Sequence, residues 1–228
     1  MMLNYLKEAH QKTIKNVQDF YTSTGLHVYV KDPLTNDVDP EEVISQVEEH
    51  LPEHLLAEVE MIIIGWFKEF EERDLNAFYS DGCLYISNEQ DDAADFFDDV
   101  VHEVAHSLEE PYGYEIYGDK TLENEFLKKR LQLRQILWAH GFKAPSSFFT
   151  NTEYDLEFDN FLLNQVGYDK LALLIQGMFI NPYAATSLRE YFATGFTDFF
   201  LDSDHTALKN ISPILYSKLF KLNGKKSS

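Results

Sequence analysis

The sequence predicts an α+β protein with a small N-terminal sheet, a helix carrying the candidate site, and a mainly helical C-terminal half. Two observations carry this. Short apolar runs bounded by turn residues cluster before residue 90, and amphipathic segments of helical period dominate after it. With 228 residues, 44% of them hydrophobic and 14% aromatic, the chain is long enough to bury a substantial core. No linker composition interrupts it. The reading is one domain over 1–228, with 1–40 forming an N-terminal helical extension and the first strand.

The elements follow in order. Leu3, Leu6, Ile14, Val17, Phe20 and Tyr21 fall on one face of a helix over 3–21, which Gly25 stops. Leu26-His27-Val28-Tyr29-Val30 has the composition of a strand. Asp39-Pro40-Glu41-Glu42 opens a second helix with a cap, a proline in the first turn and then acids. A short helical piece after Pro52 leads to Val59-Glu60-Met61-Ile62-Ile63-Ile64, a buried strand. Residues 76–80 and 83–87 form a hairpin turning at Asp81-Gly82. The aspartate-rich stretch from Asp91 to Asp99 then opens a helix whose dipole it complements. It lacks the spacing and obligatory glycine of a calcium loop. A long helix over Thr121 to Ala139 ends at Gly141, residues 143–160 look irregular, and Tyr168 to Gln176 is a short helix. Ser187 to Leu201 and Thr206 to Leu222 complete the fold.

Charge narrows the function. Nineteen basic against 39 acidic residues give a net charge of −20. Such a surface repels phosphate backbones and anionic lipid and favours basic segments in a partner. Nucleic acid and membrane are therefore not expected partners; a protein or peptide substrate is. Cys83 is the single cysteine, so no intrachain disulfide forms. The first ten residues lack the apolar core of a signal peptide. The expectation is a soluble cytoplasmic protein, although a viral or leaderless secreted one would show the same features.

The chemistry centres on His102-Glu103-Val104-Ala105-His106. Side chains four apart on a helix share a face, so His102 and His106 can point their imidazoles at one zinc ion. Glu103 stands between them, at a spacing that misses the metal yet reaches a water beside it, where a general base belongs. His50 and His54 are also four apart, but Leu51 replaces the glutamate and Pro52 breaks the turn, so they read as solvated helix-end histidines. A catalytic zinc needs a third protein ligand and an open position. Glu125, 19 residues after His106, and neighbouring Glu123 are one option; an Asn-Glu pair at this separation resembles that of zinc aminopeptidases, but Phe126-Leu127-Lys128-Lys129-Arg130 departs from the residues expected after it. Glu190, 84 residues on, is the other.

Around Glu190 the run Glu190-Tyr191-Phe192-Ala193-Thr194-Gly195-Phe196 resembles the third-ligand helix of the anthrax lethal factor family of zinc metallopeptidases. The similarity continues through Ser203-Asp204-His205, Leu208-Lys209 and Ser212-Pro213, and covers roughly 45–222, strongest at 101–108 and 183–220. The resemblance implies a zincin-like fold and one catalytic Zn²⁺ held by His102, His106 and Glu190. It further implies a metalloendopeptidase in which Glu103 is the general base and Tyr183, seven residues before the ligand glutamate, assists as an oxyanion donor. It departs at Thr194, where the family has an acid that buttresses a histidine; Asp198, a turn further on, could compensate. Substrate is expected to add as a strand beside Cys83-Leu84-Tyr85-Ile86-Ser87. A rival reading is a catalytically inactive zincin-fold interaction or structural protein, which would have no chemical need for Glu103.

Overall fold

The computed structural model describes residues 18–36, 38–73 and 75–224. It is a mixed α/β structure whose five strands lie before residue 90 and whose later part is helical, compatible with the α+β expectation. The chain divides into two compact units, one ending at Ser107 and the next beginning at Leu108.

In the first unit, strands β1 (Gln18–Tyr21), β2 (His27–Val30), β3 (Met61–Ile64), β4 (Ala77–Ser80) and β5 (Cys83–Ile86) form one sheet in the order β1-β2-β3-β5-β4. Strands β2, β3 and β5 run parallel, while β1 and β4 are antiparallel edges. The period of two makes one face apolar. Val28, Ile62 and Leu84 stand in register and buried, as do Val30, Ile64 and Ile86. The Asp81-Gly82 turn joins β4 to β5 as expected, with φ of 48° and 81°, the two left-handed residues that a tight two-residue hairpin requires.

Helices α1 (Pro40–His50), α2 (Glu53–Leu56) and α3 (Lys68–Arg73) connect these strands, and α4 (Ala93–Ser107) follows them, packed on α1, β4 and β5. Asp39 caps α1 by accepting from the Glu41 N–H at 3.0 Å, with Pro40 in the first turn, as its sequence signal predicts. At its other end His50 is exposed and its Nδ1 lies 2.7 Å from the Gln46 carbonyl, a helix-end histidine. Asp92 caps α4, accepting from Ala94 N–H at 2.8 Å and Asp95 N–H at 2.9 Å.

Two expectations in this unit are corrected. The helix expected over 3–21 lies outside the described residues as far as position 17, and its last four positions form β1 instead. There Phe20 pairs with Val28, Tyr21 stacks on His27 at 4.6 Å, and Asp19 lies 2.6 Å from the His27 ring nitrogen. Pairing with β2 outweighs the local helical period. The second concerns Cys83 to Ser87. That strand is interior, bonded to β3 on one side and β4 on the other, so no added strand can pair with it. The open edge next to α4 is β4. Ser87 N–H donates to Asn76 at 2.7 Å, and ladder bonds alternate, so Phe78 and Ser80 face β5 while Ala77 and Tyr79 turn their peptide groups outward.

The second unit is helical: α5 (Gly113–Tyr117), α6 (Thr121–Ala139), α7 (Leu156–Asn160), α8 (Tyr168–Leu174), α9 (Leu188–Leu201), α10 (Thr206–Ile211) and α11 (Pro213–Asn223). A π-helical turn, Phe161–Val166, continues α7, and 3-10 turns occupy Ser146–Phe149 and Tyr183–Ala185. The segment 143–160, expected to be irregular, therefore carries a turn and a helix. Phe149 and Phe158 are buried there, and Asp155 caps α7. The helix expected over 206–222 is broken at Ser212 because Pro213 lacks the N–H to continue it. Phe126, Leu133, Phe192, Phe196, Leu215 and Leu219 meet in the core, each fully buried. Gly195 permits this approach, since a Cβ there would stand 2.2 Å from Leu215 Cδ2.

Candidate metal centre

Helix α4 presents two adjoining stripes. Phe96, Val100, Val101, Val104 and Ala105 are buried, and the neighbouring face carries His102 and His106, both half-buried, with ring centroids 5.1 Å apart. Glu103 lies at the border of the buried stripe and is 7% exposed. Asp98 stands one turn before His102 and feels its charge, although burial still raises its pKa.

Glu190 sits at the third position of α9. The helix starts at Ser187, whose hydroxyl accepts from the Glu190 N–H at 3.1 Å, a capping arrangement that fixes the first turn. One ligand atom each from His102, His106 and Glu190 all lie within 4.8 Å of one another, and among the described residues these three are the group of His, Cys, Asp and Glu side chains that could hold a metal ion. The donor set fits zinc: two imidazole nitrogens and one carboxylate oxygen suit a borderline ion and leave a fourth position open.

Glu125 is engaged elsewhere. Its carboxylate accepts from Tyr191 Oη at 2.9 Å, from Ile214 N–H at 2.9 Å and from Leu215 N–H at 3.2 Å. It thus caps α11, whose own Ser212 makes no side-chain cap bond. Glu123 lies 3.9 Å from Lys120 on the helix surface. Neither joins the converging group.

Tyr183 opens the 3-10 turn just ahead of α9 and is half-buried; its carbonyl accepts from Thr186 N–H and Oγ1 at 2.9 and 2.8 Å. The turn is tied down by Arg130, 1% exposed, which donates to the carbonyls of Ala185 at 2.7 Å, Thr186 at 3.1 Å and Phe148. Neighbouring Lys129 donates to Met178 and Ile211 carbonyls and to Ser212 Oγ at 2.6–2.8 Å. These buried cations were not singled out in the sequence. Their signal was position: 129 and 130 fall three and four residues after Phe126, on the stripe that Leu133 and Leu137 continue, where apolar residues belong.

Thr194, where the lethal factor pattern has an acid, is 5% exposed, and its hydroxyl has no hydrogen-bond partner. Asp198 has its pKa raised by burial and by Asp202, with His205 opposing. Two tyrosines missed in the sequence lie in the field of Glu190. Tyr117 and Tyr168 both feel its charge, and burial is the main cause that drives each phenol well above the ordinary range. Arg189 binds Glu109 at 2.6 Å.

Asp99 is a further finding on α4. Burial raises its pKa to about 7, with Asp95, Glu103 and Asp98 adding to the shift and a bond from Gln90 Nε2 at 3.1 Å opposing it. It is therefore not one of the helix-capping aspartates. The native state holds this proton while the unfolded chain has released it above about pH 4, so Asp99 lowers stability as pH rises from about 4 to about 7. Asp99→Asn mimics the protonated form. Its melting temperature should exceed that of the wild type by a gap that widens between about pH 4 and about pH 7 and then stays constant; parallel melting curves across that range would refute the assignment.

No family model, no curated protein and no solved structure matches this chain.

Proposed function

We propose that the chain is a zinc-dependent peptidase, zincin-like in its catalytic design. The observation that carries this reading is the convergence of donor atoms from His102, His106 and Glu190, with Glu103 next to the first of them and buried on the same helix. When bound, zinc would polarise a scissile carbonyl and make a water easier to deprotonate. Glu103 takes the proton of the attacking water and returns it to the leaving amine. Tyr183 donates its phenol hydrogen to the oxygen on which charge develops, in a turn that Arg130 holds in place.

The substrate is an extended peptide that adds to the sheet at β4. Edge strands leave half of their backbone groups unpaired, and here Ala77 and Tyr79 offer them beside α4. The net charge of −20 favours peptides with basic residues and disfavours nucleic acid or anionic lipid. No helix among the described residues is long and apolar enough to cross a membrane.

A zinc titration with a mixed peptide library tests the reading. One equivalent of tightly bound zinc, and cleavage that a chelator abolishes and zinc restores, is the expected result. Zinc bound without cleavage of any peptide would turn the reading toward an inactive interaction or structural protein. No bound metal would overturn both site and mechanism.

A further inference from the structure

Helix α6 and the loop after it form a basic island in an acidic chain. No Asp or Glu occurs between Glu125 and Glu153, although the chain carries 39 acids against 19 bases. The cations of that stretch divide by direction. Lys129 and Arg130 turn inward onto backbone carbonyls, whereas Lys128 and Lys143 are exposed and Arg134 is half-buried. Leu131 and Trp138 stand two turns apart on the outer face, 45% and 51% exposed. Positions 128, 131, 134 and 138 fall within roughly 120° of the helix circumference, so charge flanks the exposed apolar pair on both sides.

These cations lie against rings rather than carboxylates. The Arg134 guanidinium stands 5.8 Å from the Trp138 ring centre and Lys143 Nζ 5.4 Å from it. Lys170 of α8 lies 5.0 Å from the Phe142 ring in the same way. Among the described residues Lys128, Arg134 and Lys143 form no ion pair, whereas Arg189 and Lys218 each do. Arg134 Nε is moreover buried without a hydrogen-bond partner. Such atoms are ordinarily satisfied, and a guanidinium fork beside an exposed indole suits a carboxylate.

We propose that the outer face of α6 docks a short acidic peptide segment of a protein partner. An apolar side chain of that segment covers Leu131 and Trp138, and its carboxylates meet Lys128, Arg134 and Lys143. Charge complementarity selects this occupant. Charges are screened beyond about 8 Å at physiological salt, so a segment confined to this face meets the local positive field. A nucleic acid or an anionic bilayer extends far past that length and meets a chain of net charge −20. A second copy brings the same net charge and is repelled as a body. The proposal is independent of zinc and of peptide hydrolysis.

The test uses the full chain and a fluorescein-labelled peptide of glutamates spaced by leucines, read by fluorescence anisotropy. Saturable binding that weakens as salt rises is the expected result. The same peptide with glutamine in place of glutamate should bind at least about 10-fold more weakly. Trp138→Ala and the double variant Lys128→Glu/Lys143→Glu should each lose affinity by a similar factor. Both should keep the wild-type melting temperature, because the altered side chains are exposed. Phe220→Ala, which removes an exposed ring of α11, should bind as the wild type does. Absence of binding, or binding that the Trp138 and lysine variants leave unchanged, would overturn the proposal. Tighter binding of oligothymidylate or phosphatidylserine vesicles through these residues would also overturn it, by giving the face to a polyanion. Self-association of the wild type that Trp138→Ala abolishes would overturn it in favour of a second copy.

Discussion

Glu190→Ala should abolish tight zinc binding and leave the apo protein folded, whereas Glu125→Ala should leave the metal ligands intact and destabilise the fold. The preferred third-ligand glutamate and its alternative thus separate by experiment. Removing one of three protein ligands should weaken zinc by more than the roughly 10–100-fold typical of outer partners. The apo melting temperature should move little, because the Ser187 cap that starts α9 remains. Glu125 is different. Its carboxylate takes hydrogen bonds from Tyr191, Ile214 and Leu215, two of them from backbone groups at the start of α11. Truncation leaves those donors unpaired, at a cost of about 3 kcal/mol, or roughly 6–12 °C for a chain of this size. Thermal melts with and without zinc read both effects. If Glu125→Ala instead lost zinc while melting like the wild type, the ligand assignment would have to be exchanged.

This pair also shows where sequence reasoning reached and where it stopped. The helix of the two histidines was legible because its information is local: Asp92 caps it, apolar residues recur at its buried stripe, and the histidines stand one turn apart. The hairpin was legible for the same reason, since Asp81-Gly82 dictates its own turn. Glu125 was ambiguous because its partners lie some 90 positions downstream, and nothing near it in sequence announces a carboxylate capping a distant helix. The interior position of β5 was hidden likewise. Strand order is set by pairing across the sheet, and the hairpin signal does not say which arm ends at the edge. At β1 the local signal was misleading: Phe20 and Tyr21 fit a helical stripe, yet pairing with Val28 and His27 decided their conformation. Buried Arg130 was visible only as a cation on an apolar stripe, since the carbonyls it serves belong to turns at 148 and 185–186.

Glu103→Gln is the substitution on which the chemistry turns. Glutamine keeps the volume and polarity of the side chain but cannot accept and return a proton at neutral pH. Glu103 is not one of the three converging donors, so zinc should bind with unchanged stoichiometry. Peptide cleavage should fall roughly 10²–10⁴-fold, the span that a lost general base produces. Asp99 supplies an internal check that the side chain was removed cleanly. Glu103 is among the charges that raise the Asp99 pKa to about 7, so the variant should titrate Asp99 at lower pH while keeping its bond from Gln90. A variant with intact zinc, a lowered Asp99 titration and undiminished turnover would show that the proton is carried by some other group. Loss of turnover with metal and fold intact would assign it to Glu103, the one acidic side chain between the two histidines.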